Sequence, residues 1–319
     1  MRPEEMNIEY VEDVARDIAT EVGKVLVGKK ELVHKTLVAF LSNGHILLEG
    51  VPGLAKTFFA KAFAASIGGA FKRIQFLPDL LPSDVVGINA YHPGSGEFKF
   101  KAGPIFANII LADEINRATP KTQSALLEAM EEMQVTVEGT TYPLQRPFMV
   151  LATQNPIELE GTFPLPEAQI DRFFYKIAID YPDAKEEEEI IKRKHDGIDL
   201  GLIMKVADPA DIYKIQNFIE KEVHLDASLM EYISRLVTQT RTDPRVLLGV
   251  SPRGSITMLR ASKTTAVLKG RDYVLPEDIQ EVLYDSLNHR MLIKPDSELD
   301  GVTTKTVIFD ILRNSWVPK

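Results

Sequence analysis

Short apolar runs alternate with helix-spaced apolar positions through the first half of this chain. Val33, Leu37, Phe40 and Leu41 recur at i, i+4, i+7 and i+8, the spacing of one helix face, so residues 29–42 read as a helix. A second helix is expected over about 9–26. The run HILLE (45–49) reads as a strand that ends at a Gly-rich turn, with a helix from about 57 to 66. Further strand-like runs follow at 71–76, 108–113, 148–153 and 174–179, and the clearest helical pattern among them is KTQSALLEAMEEM (121–133). Buried strands alternating with helices imply a parallel sheet covered on both faces. After Tyr181 the strand-like runs stop. The acidic run KEEEEIIKRK (185–194) has the acid-to-base spacing of a solvated helix. Helical patterns then dominate, at about 210–221, 226–240, 252–268 and 276–290. The expected fold class is therefore α/β: an αβα sandwich over residues 1–182, followed by a smaller all-α domain over 183–319.

Composition narrows the partners. The chain has 319 residues, enough for about two domains. Its 37 basic and 46 acidic residues give a net charge of −9, which disfavours a broad nucleic-acid or anionic-membrane footprint. It has no cysteine, hence no disulfide, thiolate metal site or cysteine nucleophile. None of the six histidines has metal-ligand spacing. No apolar run approaches the roughly 20 residues that span a bilayer. The acidic, amphipathic N-terminus lacks the apolar centre of a signal peptide, so the cytoplasm is the expected compartment.

Two motifs carry chemistry. The segment Gly50-Val51-Pro52-Gly53-Leu54-Ala55-Lys56-Thr57 lies between an expected strand and an expected helix, the context of a phosphate-binding loop. Small residues there let backbone N–H groups converge on phosphate oxygens. Lys56 would neutralise the β and γ phosphates of ATP, and Thr57 would place its hydroxyl on Mg2+. The pattern GxxxxGK[ST] is met except at Ala55, which replaces the last glycine and loses freedom if the position requires positive φ. The second motif is Asp113-Glu114, directly after the apolar run Ile109-Ile110-Leu111-Ala112. A carboxylate pair there sits at the carboxyl edge of the sheet, where ligands bind in such folds. Asp113 would hold Mg2+, and Glu114 would orient and polarise the attacking water.

With both motifs in place the chain resembles the AAA+ ATPases, and more narrowly the MoxR family. The resemblance covers nearly the whole chain. It is densest in QFLPDLLPSDVVG (75–87), GPIFANIILADEINRATPKTQSALLEAMEE (103–132) and ATQNPIELEGTFPLPEAQIDRF (152–173), and SPRGSI (251–256) also matches. EGVPGLAKT (49–57) is a form common in that family. The resemblance implies a five-stranded sheet, a helical lid and a hexameric ring, with ATP at the subunit boundary. By the same resemblance Asn155 corresponds to sensor 1, holding the γ phosphate or the attacking water. Arg172 corresponds to an arginine finger acting on a neighbour's ATP, and Arg253 to sensor 2. Val27 and Gly28 correspond to the segment that meets the adenine. On the residues alone, Arg172 could equally pair with Asp171 or another local acid, Arg253 could be a helix-face cation, and Asn155 a turn residue before Pro156.

Residues 92–104 and 133–145 resemble family hairpins that face a ring pore or a partner; ordinary surface hairpins are the alternative. The implied work is chaperone-like maturation or assembly of protein complexes, including insertion of a metal cofactor. The client partners often carry a von Willebrand factor A domain. Two other functions stay open on sequence: a nucleic-acid-remodelling motor, which Lys99, Lys101 and Arg146 would permit, and a nucleotide-gated scaffold that does not hydrolyse ATP.

Overall fold

A computed structural model describes residues 6–51, 53–94, 96–155 and 161–318. Pro52, one of the candidate loop residues, lies outside the described residues, as does Pro156. Helix α1 (Ile8–Val25) begins where the Asn7 side chain accepts the Tyr10 N–H, and it buries Val11, Val14, Ile18, Val22 and Val25 along one stripe. Helix α2 (Lys30–Leu41) follows, then strand β1 (Ile46–Glu49) and helix α3 (Lys56–Ser66). The chain continues through β2 (Phe71–Gln75), α4 (Pro82–Val86), β3 (Gly87–His92), β4 (Glu97–Ala102) and β5 (Ile109–Asp113). Next come α5 (Pro120–Glu132), β6 (Gln134–Val137), β7 (Thr140–Pro143), β8 (Met149–Gln154), α6 (Glu167–Ile170) and β9 (Tyr175–Ala178). The remainder is helical: α7 (Ala184–His195), α8 (Pro209–Glu222), α9 (Ala227–Thr242), α10 (Pro252–Leu268), α11 (Pro276–Leu287), α12 (Pro295–Leu299) and α13 (Thr304–Asn314). A small antiparallel ribbon of β10 (Val246–Leu248) and β11 (Leu292–Ile293) is set among them.

The central sheet has five parallel strands in the order β2-β5-β8-β1-β9. Alternate residues of each strand enter opposite cores, as the two-residue period requires. Ile46, Leu48, Ile109, Leu111, Met149 and Leu151 face α1, α2 and α3. Leu47, Ile110, Ala112, Val150 and Ala152 face the side covered by α5. The first core continues without a break into Ile212 and Ile215 of α8, Tyr232 of α9, Met258 of α10 and Leu287 of α11. The N-terminal helices thus join the sheet to the helical C-terminal part. Register matters most at the carboxyl edge. Gln75 is level with Asp113, and Glu49 with Gln154, so the ends of β1, β5 and β8 open side by side.

Pattern reading alone does not find β3, which lies just before the expected 92–104 segment and supplies one arm of that hairpin. The two hairpins β3–β4 and β6–β7 lean on each other. Phe100 stacks on Tyr142 with ring centroids 3.9 Å apart, and Asn89 Nδ2 donates to Glu138 Oε2 at 2.9 Å. Among the described residues, no helix is long and apolar enough to cross a membrane.

Candidate functional site

The loop after β1 is shaped by close approach and positive φ. Gly50 donates to Gln154 O, and a Cβ on it would meet Ile179 O at 2.8 Å. Gly53 has φ +88°, and Ala55, at φ +56°, is a left-handed residue that starts α3 without a side-chain cap. The position that departs from the glycine pattern therefore does need the conformation glycine adopts most freely. With no capping side chain, the positive end of α3 opens toward the loop. Lys56 is the first residue of α3, and its ammonium donates back to Gly50 O. Burial pulls the Lys56 pKa down, while Asp113, Glu114 and Glu49 pull it the other way.

A cavity of about 400 Å³ at the head of α3 brings together Gly50, Gly53, Leu54, Ala55, Lys56 and Thr57 with Asp113, Glu114 and Asn155. Asp113 Oδ1 accepts the Thr153 hydroxyl at 2.7 Å, and its Oδ2 lies 2.6 Å from Arg73 Nη2. Thr153 Oγ1 in turn accepts the Glu114 N–H at 2.9 Å. Glu114 itself has φ +56°, a conformation that costs a non-glycine residue about 1–3 kcal/mol. Its carboxylate takes Gln75 Nε2 at 2.8 Å and the Arg117 guanidinium at 3.1 Å. Asn155 is buried beside them. Sequence reasoning missed Arg73, Gln75 and Thr153. Their positions follow from strand pairing, and the available signal was weak: Gln75 and Thr153 are polar side chains near strand ends, and Arg73 is a mid-strand cation in the mixed strand β2.

The arginines form a second cavity of about 450 Å³, which shares no lining residue with the first. Arg172 Nε lies 3.3 Å from Glu131 Oε2, and Arg253 pairs with the other oxygen of Glu131. Asp171 is engaged by Arg290 and by Ser251, the N-cap of α10. Arg290, also missed in the sequence, is buried; burial lowers its pKa to about 10, with Asp171 opposing that shift. Val27 and Gly28 lie at the turn between α1 and α2, and neither lines the first cavity. Glu186 of α7 covers Gly28, whose added Cβ would fall 2.0 Å from Glu186 Oε1.

A model of ATPases associated with various cellular activities (AAA) matches residues 45–175, and one of the AAA lid domain matches 238–311. The chain is 44% identical to Chaperone MoxR1 of Mycobacterium tuberculosis, over 94% of this chain and 81% of that one. This chain belongs to the MoxR family of AAA+ ATPases. YeaC of Bacillus subtilis is 47% identical over 93% of this chain and 92% of its own. A crystal structure of a Cytophaga hutchinsonii protein assigned as an ATPase superposes with a TM-score of 0.91. It shares 45% identity, over 98% of this chain and 97% of that one.

Membership of the AAA+ ATPases implies nucleotide binding, and the first cavity of this MoxR-family chain fits it. An uncapped helix N-terminus and a lysine face a pocket whose opposite wall is carboxylate. Thr57 and Asp113 are the residues that could hold a divalent cation against phosphate oxygens. Among the described residues, no cluster of three or more His, Cys, Asp or Glu could hold a metal.

Proposed function

We propose that this MoxR-family chain hydrolyses ATP with Mg2+ at the head of α3, and couples that cycle to chaperone-like work on a client protein complex. One observation carries the proposal. Lys56, Thr57, Asp113, Glu114 and Asn155 come from three separate segments of the chain and line one cavity at the carboxyl ends of β1, β5 and β8. Lys56 and the backbone N–H groups of the loop hold the triphosphate. Thr57 and Asp113 would hold Mg2+, which would supply positive charge to offset that of the phosphates. Glu114 orients the attacking water and draws its proton, released for that task from Gln75 and Arg117. Asn155 steadies the γ phosphate or that water without adding charge.

The separation of Arg172 and Arg253 from this cavity supports their acting on ATP bound by an adjacent subunit. A planar guanidinium can spread over the oxygens of a loose phosphoryl transition state. The reading is then a ring, six-membered by family resemblance, located in the cytoplasm. Residues 1–182 form its nucleotide-binding unit and 183–319 its helical lid. The exposed β3–β4 hairpin, with Tyr91 and Phe98 at its tip, is available to a pore substrate or a partner. A relative named as a chaperone supports the client-assisting part. A client with a von Willebrand factor A domain, and metal insertion into it, follow from family resemblance. The decisive measurement is ATP binding and turnover of Glu114→Gln. Binding is expected to persist while hydrolysis falls by about 10²–10⁴; unchanged turnover would remove Glu114 from its role.

A further inference from the structure

The Arg290 side chain, 2% exposed, uses all five of its N–H donors. Nε donates to Asp171 Oδ1 at 2.9 Å. Nη2 donates to the carbonyls of Asp171 and Phe173 at 3.1 and 2.6 Å, and Nη1 to those of Phe174, at 3.2 Å, and Ser286. Next to it, His289 Nε2 is 3.0 Å from the same Phe173 carbonyl. The strap therefore runs from the end of α11 in the helical part to the turn before β9. Arg172 sits inside the strapped turn, between Asp171 and Phe173.

The other oxygen of Asp171 accepts the Ser251 hydroxyl at 2.8 Å. Ser251 caps α10, and its Oγ also accepts the N–H of Arg253. The pair of buried Arg290 and half-buried Asp171 thus anchors both backbone segments whose guanidinium groups meet at Glu131. Gly254 lets this corner close: a Cβ there would meet Val250 at 2.3 Å and Arg290 at 3.4 Å. Moving the helical part away from β9 must either carry the 171–174 turn with it or leave a buried charge and several carbonyls unpaired, which is strongly unfavourable.

We infer that Arg290 is a positioning residue for the arginine finger: it holds Arg172 in register with the helical part, so that the lid position of one subunit reaches the active site of the next. This rests on the trans-acting reading of Arg172. With all five N–H donors engaged inside its own subunit, Arg290 acts through the turn it holds.

The test uses full-length chains and mixed assemblies. Arg290→Lys keeps the charge but cannot span the Asp171 carboxylate and four carbonyls from a single nitrogen. Its expected signature is a kcat lower by about 10²-fold, as for an ångström-scale misplacement, with KM and fluorescent-ATP affinity near wild type. Mixing it with Glu114→Gln subunits, which supply an intact finger but no hydrolysis, should restore turnover, as the same mixing should for Arg172→Ala. An unchanged kcat overturns the inference, and so does affinity falling in step with kcat. Rescue of Arg172→Ala without rescue of Arg290→Lys overturns it alone, whereas no rescue of Arg172→Ala overturns the trans reading itself. Should Arg290→Lys fail to fold, the isosteric Asp171→Asn decides by the same criteria.

Discussion

At the head of α3, one lysine faces two carboxylates across strand ends that are neighbours in a single sheet. In the second cavity, Arg146, Arg172, Arg253, Arg260 and Arg290 gather around Glu131, Asp171 and Glu220. The first site is set by backbone geometry (positive φ at Gly53, Ala55 and Glu114, an uncapped helix start and the parallel register), with short side-chain braces from neighbouring strand ends on its carboxylates. The second is held by side chains whose partners lie more than 40 residues apart, Arg253 with Glu131 and Arg290 with Asp171 among them. A site built from backbone keeps its groups in place when one side chain is changed. A site built from side-chain pairs loses its alignment when any member is lost.

The largest expected effect falls on the second cavity. Arg172→Ala should lower turnover by about 10³-fold or more while nucleotide affinity is kept, and single-turnover kinetics beside equilibrium binding would separate the two. A parallel loss of affinity would make the two cavities one functional unit and end the distinction.

Lys56→Ala should show the reverse pattern. Removing a charge-assisted contact worth about 1.5–3 kcal/mol should weaken ATP binding by about 10–100-fold, read by titration with a fluorescent nucleotide, without unfolding the loop. Affinity within twofold of wild type would contradict the placement of the triphosphate.

His45 lines the second cavity and makes the fold sensitive to acid. Its Nδ1 accepts the Val150 N–H at 3.0 Å, its Nε2 is 3.1 Å from Met130 O, and burial pushes its pKa down to about 4. The unfolded chain takes up this proton near pH 6.5 and the folded chain only near 4. The stability it confers is therefore complete above about 6.5 and lost as pH falls toward 4. Denaturant unfolding at pH 7 and pH 5 should differ by about 2 kcal/mol from this group, a difference that His45→Gln should remove. The same slope in both proteins would assign the acid loss to other groups.

The smallest effect belongs to Ala55. Glycine relieves the left-handed backbone but adds freedom to the unfolded chain, so Ala55→Gly should change stability by less than about 1 kcal/mol in thermal melts. A loss of several kcal/mol would mean that the Ala55 methyl packs in a way its exposure does not indicate.

The strand–turn–helix of 46–66 and the Asp113-Glu114 pair were legible because each lies within a few residues, where period, φ preference and residue size act directly. The alternation of strands and helices likewise pointed to the parallel sheet. Strand β3 was not legible: Gly87-Ile88-Asn89-Ala90-Tyr91-His92 lacks a clear two-residue period and depends on pairing with β4. Helix α13 escaped for a related reason, since only Val307, Ile308 and Ile311 are buried along it. The α7 side chain over Gly28 was equally invisible, because nothing local connects residues 28 and 186.

The amino-acid order was enough for the five strands of the central sheet, most of the helices and the short Gly-rich stretch before α3, since hydrogen-bonding period and backbone sterics act over a few residues. Packing between distant segments set the rest: Thr153 braces Asp113 and Glu114, Glu131 receives both Arg172 and Arg253, and Arg290 straps the 171–174 turn to the helical part. Those pairings depend on sheet register and helix packing between distant segments, and a buried charge takes whichever partner that packing brings within about 3 Å.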